Sequence, residues 1–189
     1  MFEQDKLENI SRTLDRGGII LYPTDTVWGL GCDACNESAV NRLFDLKQRE
    51  RAKSFVLLVD SLEMLRDYVE EVHPRIDTLL HYHQRPLTVV YPRAKNLPKG
   101  VVAPDGSIGI RIVQDDFCRR LIQDFGRPLV ATSANISDQP FSGCFGNVSS
   151  AIITHADYVV KYRQHEKNTS EPSVMVKVDE DGELVFLRN

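Results

Sequence analysis

The 189-residue sequence lacks any apolar run that approaches the roughly 20 residues needed to cross a bilayer as a helix. Its opening stretch, MFEQDKLENI, also lacks the basic and apolar regions of a secretory signal. These absences predict a cytoplasmic protein that does not bind membranes. An excess of basic charge is missing as well, because the formal net charge is −4 at pH 7. That balance argues against a protein that coats nucleic acid nonspecifically.

Cysteine is scarce, and its spacing does not indicate a metal site. The four cysteines are Cys32, Cys35, Cys118 and Cys144. The first two have C-x-x-C spacing, but no second pair follows, and the histidines at 73, 81 and 83 have no register with them. A tetrahedral zinc site needs four such ligands. We therefore expect reduced thiols and no protein-bound metal.

Two phosphate-binding motifs are also absent. The chain contains neither G-x-x-x-x-G-K-[ST] nor G-x-G-x-x-G, whose backbone amides cradle nucleotide phosphates. If the protein binds a nucleotide, side-chain cations must therefore supply the neutralising charge.

Apolar periodicity and capping residues predict strands that alternate with helices, followed by a terminal hairpin. This pattern indicates an α/β fold with a twisted mixed parallel and antiparallel sheet covered by helices, in a single domain spanning 1–189. The polar segment 163–171 is predicted to be mobile. The predicted helices cover 4–16, 37–47, 60–68, 74–83, 115–125 and 149–155, and the predicted strands cover 19–22, 55–59, 87–91, 107–112, 128–132, 157–160, 173–178 and 184–188.

Four basic residues stand at alternate positions in LKQRERAKSF. In an extended segment they would line one face, because side chains there repeat every two residues. Such a row could clamp phosphate groups, since arginine offers a planar fork and lysine a compact charge. It could equally be a solvated helix C-terminus that offsets the helix dipole. The four residues are Lys47, Arg49, Arg51 and Lys53.

Four other places, within or at the ends of predicted strands, carry polar side chains that are candidates for ligand binding. The loop PTDTVWGLG (23–31) holds two threonines, Asp25 and Trp28, and suits either a small polar ligand or a tight turn. Arg111 interrupts an apolar strand and must face solvent, a partner or a ligand. Ser133-Ala-Asn135 follows a strand and could bind phosphate or form a turn. Glu171-Pro-Ser enters the hairpin.

Taken together and in this order, these motifs resemble the YrdC-type threonylcarbamoyl-AMP synthase family. The resemblance rests on YPTDTVWGLG (22–31), Lys47-x-Arg49, RPLTVVYP (85–92), IGIRI (108–112), TSANIS (132–137) and EPSVMV (171–176). It implies an enzyme that joins L-threonine, bicarbonate and ATP into threonylcarbamoyl-adenylate and releases pyrophosphate. The family fold is a twisted mixed sheet around a positively charged cavity.

The resemblance also implies roles for individual residues. Lys47, Arg49, Ser133 and Asn135 match the catalytic tetrad of the synthase type. The residues that match the threonine-binding positions are Thr26, Arg111, Ala131 and Ser173. Those that match the ATP-binding positions are Arg49, Lys53, Ser107, Ser133 and Arg188. The chain departs from the family pattern at Glu50, Ser54 and Phe141.

The implied partners extend beyond the substrates. Mg²⁺ is expected to arrive with ATP, and downstream threonylcarbamoyl-transferase proteins are expected to modify adenosine at tRNA position 37. Transfer RNA itself is a further candidate partner of this chain. One alternative is a non-catalytic RNA-binding or ribosome-maturation protein of the same fold, which should show aromatics interleaved with cations. Another is a carbamoyl-handling module of hydrogenase maturation, which is usually part of a much longer chain.

Overall fold

A computed structural model of the chain describes residues 5–137, 143–167 and 171–188. Phe141 and residues 168–170 of the predicted mobile segment lie outside these ranges. The helices are α1 Leu7–Asp15, α2 Glu37–Lys47, α3 Leu62–Tyr68, α4 Pro74–Tyr82, α5 Asp116–Phe125 and α6 Ser150–His155. The strands are β1 Ile20–Tyr22, β2 Gly29–Gly31, β3 Val56–Val59, β4 Leu87–Tyr91, β5 Ile108–Ile112, β6 Leu129–Ser133, β7 Tyr158–Val159, β8 Val174–Val178 and β9 Leu184–Arg188.

Within these ranges, the strands form one mixed sheet in the order β7-β1-β2-β6-β3-β5-β4-β8-β9. The pairs β1–β7, β3–β5 and β4–β8 are parallel, and the other neighbours are antiparallel. The predicted α/β fold with a mixed sheet is confirmed. No helix in the described ranges is long and apolar enough to span a membrane.

Successive residues of a strand point to opposite faces of the sheet, so each apolar strand presents side chains to both faces. Helices cover these side chains on both faces. Ile20 and Leu58 pack with α1 and α5 on one face. Leu21 and Leu57, their chain neighbours, belong to a larger core with α2, α3, α4 and α6. Strands that are buried on both faces read as continuous apolar runs, as IILY and FVLL do here.

The helix boundaries follow from capping side chains. Asn36, Ser61 and Asp115 each accept a hydrogen bond from a backbone N–H in the first turn of α2, α3 and α5. Gly126 ends α5 with a φ of +74°, a left-handed conformation that glycine adopts without a steric cost. The cap at Ser61 places the start of α3 at Leu62, two residues after the predicted start at 60.

One local expectation was wrong, and the structure decides between two alternatives that the sequence left open. Strand β2 forms within the stretch expected to be a loop, where it pairs with β1 and β6. The basic row is not extended, because Lys47 is the last residue of α2 and Gln48 closes that helix in a left-handed conformation. The four basic residues therefore do not form one cationic face.

Candidate active site

A cavity of about 520 Å³ lies over the middle strands of the sheet. The alternation of IGIRI explains how β5 helps to form it. Ile108 and Ile110 are fully buried in the larger core, whereas Gly109 and Arg111 point to the opposite face and line the cavity. Arg111 is the register partner of Leu58, so the cavity is on the side of the sheet that α1 and α5 partly cover. Gly109 has no side chain and leaves room there.

Nine of the eleven residues predicted from the sequence line this cavity. They come from the first loop, the basic segment, the β4–β5 loop, strands β5, β6 and β9, and the residue before β8. The nine residues are Thr26, Arg49, Lys53, Ser107, Arg111, Ala131, Ser133, Ser173 and Arg188. The other two, Lys47 and Asn135, are not in the lining, but both contact Ser133. Their assigned roles stay predictions.

The loop between β1 and β2 presents the hydroxyl of Thr26, and the neighbours of this hydroxyl fix its hydrogen-bonding state. Thr24 donates its one hydroxyl proton to the carbonyl of Val27 at 2.8 Å. Its Oγ1 lies 3.0 Å from Oγ1 of Thr26, so Thr26 must be the donor in that pair. Arg111 Nη1 donates to Thr26 Oγ1 at 3.3 Å. The Thr26 hydroxyl can therefore only accept a further hydrogen bond.

Arg111 is buried, and its guanidinium is only partly satisfied. Its Nη2 lies 3.0 Å from Oδ1 of Asp25, and the two side chains are 6% and 7% exposed. Its Nε is buried without a hydrogen-bond partner in the described ranges. A buried donor left unpaired is costly, so a ligand acceptor in the cavity would relieve that cost. Asp25 was noted in the sequence as part of a polar loop but was not assigned to the site.

The terminal hairpin contributes a second arginine. Arg188 donates from Nε to the carbonyl of Ser173 at 2.8 Å and from Nη2 to its hydroxyl at 3.1 Å. The hydroxyls of Ser173 and the fully buried Thr88 are 2.8 Å apart. Burial, followed by the positive charge of Arg111, lowers the pKa of Arg188. The two arginines therefore repel each other across the cavity.

Lys47 is buried behind the cavity wall. Its ammonium donates to the carbonyl oxygens of Ser133 and Asn135 at 2.7 Å each, and to the Asn135 side chain at 3.4 Å. Burial, with a smaller contribution from the charge of Arg49, lowers the pKa of Lys47 to about 8. Ser133 donates its hydroxyl proton to Oδ1 of Asn135. Lys47 and Asn135 thus hold the segment that brings Ser133 into the lining.

The rest of the basic segment divides between the cavity and the exterior. Arg49 donates to the carbonyls of Lys53 and Ser54 at 2.8 and 2.9 Å, which shapes the turn after α2. Lys53 Nζ lies 3.4 Å from the carboxylate of Glu50, and both side chains are well exposed. Arg51 instead pairs with Asp45 on α2, outside the cavity. Glu50 and Ser54, where the chain departs from the family pattern, therefore contact Lys53 and Arg49. Both of these cations are predicted to bind the phosphates of ATP.

The lining carries four cationic side chains and, within the described ranges, no carboxylate. Two of the four have acidic neighbours, since Arg111 pairs with Asp25 and Lys53 with Glu50. The net positive character of the cavity therefore stays a prediction. Twelve further residues line the cavity, among them Thr24, Gly29 and Gly109, which the sequence analysis did not assign to the site. Alternation in IGIRI is the signal that could have found Gly109.

The described ranges contain no group of three or more His, Cys, Asp or Glu side chains that could hold a metal ion. All four cysteines are free thiols. Burial raises the pKa of the Cys32 and Cys118 thiols, which disfavours reactive thiolates at these positions.

Comparison with known proteins gives the family. A sequence model named Sua5_yciO_yrdC, with the description "Telomere recombination", matches residues 12–189. The chain belongs to the Sua5/YciO/YrdC family. A protein named threonylcarbamoyl-AMP synthase from Pseudoalteromonas translucida is 38% identical to the chain over 142 residues, which are 74% of this chain and 76% of that protein. The family resemblance predicted from the motifs is confirmed.

Solved structures of Sua5/YciO/YrdC proteins share the fold. A variant of P. abyssi Sua5 superposes with a TM-score of 0.88 at 25% identity, covering 96% of this chain and 55% of the other. P. abyssi Sua5 complexed with L-threonine superposes with a TM-score of 0.85 at 24% identity, covering 96% and 53%. The chain thus spans about half the length of these Sua5 chains.

Proposed function

We propose that this chain is a threonylcarbamoyl-AMP synthase of the nucleotidyltransferase class. It would join L-threonine, bicarbonate and ATP into threonylcarbamoyl-adenylate and release pyrophosphate. The name of the curated relative supports this reaction. The observation that carries the proposal is the shared cavity, in which four cations from distant parts of the chain lie beside several hydroxyls. Those cations are Arg49, Lys53, Arg111 and Arg188.

The proposed reaction brings negatively charged groups together. The threonine amine adds to the carbon of bicarbonate, or of CO₂ derived from it, and the carbamate forms with loss of water or of a proton. A carbamate oxygen then attacks the α-phosphorus of ATP, and pyrophosphate leaves with the electrons of the broken P–O bond. Carboxylate, carbamate and triphosphate repel one another, so fixed cations are needed before the reacting atoms can approach.

The geometry favours an amino-acid end beside β5. Arg111 offers an unpartnered Nε donor, and the Thr26 hydroxyl retains an acceptor. A zwitterionic amino acid supplies the complementary carboxylate and amino group. Ala131 and Ser173 line the same cavity and complete the proposed threonine positions.

The proposed ATP end uses the remaining lining cations and hydroxyls. Arg49 and Lys53 lie on the turn after α2, while Ser107 and Ser133 come from the β4–β5 loop and the end of β6. Arg188 lines the cavity as well. Lys47 and Asn135 act through the backbone and hydroxyl of Ser133 in this proposal.

A protein-bound Mg²⁺ site does not fit the described residues. The cavity lining in those ranges has no carboxylate, and no acidic or histidine cluster lies elsewhere in them. Hard divalent cations prefer such oxygen ligands. Mg²⁺ is therefore proposed only as the counter-ion that enters with the triphosphate, and no step depends on it here.

The RNA-binding alternative is not favoured. The aromatics nearest the basic segment are Phe44 and Phe55, each 1% exposed, with ring centroids 4.3 Å apart. Rings that are buried against each other are not available to stack on bases. The transfer proteins, contact with tRNA, the single-domain organisation and the cytoplasmic location stay predictions.

Measuring pyrophosphate release from ATP tests the proposal. Release is expected to require both L-threonine and bicarbonate. Equal release when either is omitted would reject the reaction.

A further inference from the structure

The cavity arginine is paired with a buried carboxylate that the proposed reaction does not use. Asp25 Oδ1 lies 3.0 Å from Arg111 Nη2, and both side chains are more than nine-tenths buried. The other carboxylate oxygen of Asp25 is a long 3.5 Å from the backbone nitrogen of Gln114. Neither Asp25 Oδ1 nor Arg111 Nε makes a directed hydrogen bond in the described ranges. The contact is therefore mainly one between opposite charges.

This pairing has an electrostatic consequence for the cavity. An uncompensated buried arginine attracts any anion, and its attraction to phosphate rises with the charge of the phosphate. Arg111 shares the cavity with Arg49, Lys53 and Arg188, which face the same space. Without a counter-charge, phosphate groups would compete for the position of the amino-acid carboxylate. With Asp25 beside it, Arg111 keeps its donor geometry while the carboxylate offsets part of its positive charge.

We propose that Asp25 determines the specificity of the amino-acid end, favouring a net-neutral zwitterion over phosphate anions by offsetting the charge of Arg111. The inference rests on the proposed function, because it takes a free amino acid as the ligand. It divides one cavity into two regions of different selectivity. Arg111 with Asp25 selects a zwitterion, and the other lining cations receive polyphosphate.

Asp25→Asn tests this inference, because it preserves shape and removes charge. The measurement is calorimetric titration with L-threonine, in the absence and presence of inorganic phosphate at constant ionic strength. In the wild type, phosphate is expected to change the apparent dissociation constant of threonine little. In Asp25→Asn, phosphate is expected to raise it by about tenfold or more, because the exposed charge of Arg111 favours a dianion over a zwitterion.

Asp115→Asn is the matched control. Asp115 caps α5 and pairs with Arg163 at 2.8 Å, and its side chain is 16% exposed. Asparagine is an equally good capping residue, so the control removes a neighbouring paired carboxylate that does not line the cavity. Its response to phosphate is expected to match that of the wild type.

Three results would overturn the inference. One is an unchanged phosphate response in folded Asp25→Asn, and another is an equal gain of sensitivity in Asp115→Asn. The third result needs no variant: phosphate displaces threonine from the wild type. That displacement would show that the amino-acid end does not exclude phosphate. This third result decides the matter if Asp25→Asn does not fold. A wild type that binds no threonine at all would instead reject the proposed function itself.

Discussion

The ammonium nitrogen of Lys47 lies 2.7 Å from the carbonyl oxygen of Ser133, although 86 positions separate the two residues. Its other hydrogens point to the carbonyl and side-chain oxygens of Asn135. Lys47 also accepts a bond at its own carbonyl from the backbone of Ser137 at 3.0 Å. The end of α2 is thereby joined to the segment that follows β6, and Ser133 is held in the cavity wall.

Burial of Lys47 predicts a pH dependence of stability. The pKa of Lys47 falls from 10.5 to about 8 on folding, so the unfolded chain binds more protons between these values. The contribution of Lys47 to the free energy of unfolding therefore increases as pH rises through that window, by up to about 1.4 kcal/mol per pH unit. Denaturant titrations of wild type and Lys47→Met should diverge across this range. Parallel curves would show that the lysine does not titrate there.

Arg49→Ala should reduce turnover far more than stability. Loss of an electrostatic contact to the reacting phosphates is expected to cost about 2–4 kcal/mol, or about 30- to 1,000-fold in kcat. Arg51→Ala is the matched control, because Arg51 pairs with Asp45 outside the cavity. Steady-state kinetics of both variants make the comparison. Equal losses would place the phosphate site elsewhere.

Gly109→Val should fill the cavity without disturbing the sheet. A Cβ atom at this position would lie 3.4 Å from Thr88 and 3.6 Å from Val56, which are ordinary contacts. Valine also suits a strand. Thermal unfolding is expected to change little, while KM rises, and Gly109→Ala should have a smaller effect. A normal KM in the valine variant would mean that ligand does not occupy this part of the cavity.

Ser173→Ala and Ser107→Ala should affect different substrates. Ser173 contacts Arg188 and Thr88 at the proposed amino-acid end, whereas Ser107 is assigned to ATP. Each substitution is expected to raise one KM by about threefold to tenfold, since a single hydrogen bond contributes about 0.5–1.5 kcal/mol. The measurement is KM for threonine and for ATP in both variants. The division of the cavity is wrong if both variants raise the same constant.

Local patterns predicted much of the fold, and the family resemblance supplied the site residues, most of which line the cavity. The caps at Asn36 and Asp115 and the alternation around Arg111 depend on neighbouring residues, so they are visible in the sequence. Strand β2 was missed because its three residues, GLG, have almost no side chains to show a period. It forms because β1 and β6 lie on either side of it.

The features that the sequence did not predict depend on contacts between residues that are distant along the chain. The sequence could not show that Lys47 faces backbone carbonyls of β6, because that requires the packing of α2 against the sheet. The pairing of Asp25 with Arg111 likewise depends on the approach of the first loop to β5. Charge spacing left two alternatives open for the basic row, and the predicted end of α2 at Lys47 shows that the row begins at a helix C-terminus.

The most direct test of the account is mass spectrometry of the product formed from ATP, L-threonine and isotopically labelled bicarbonate. The account predicts an adenylate that contains threonine together with the labelled carbon, because a carbamate is the group that attacks the α-phosphorus. An adenylate of threonine without the label, or AMP and pyrophosphate with no adenylate, would contradict it.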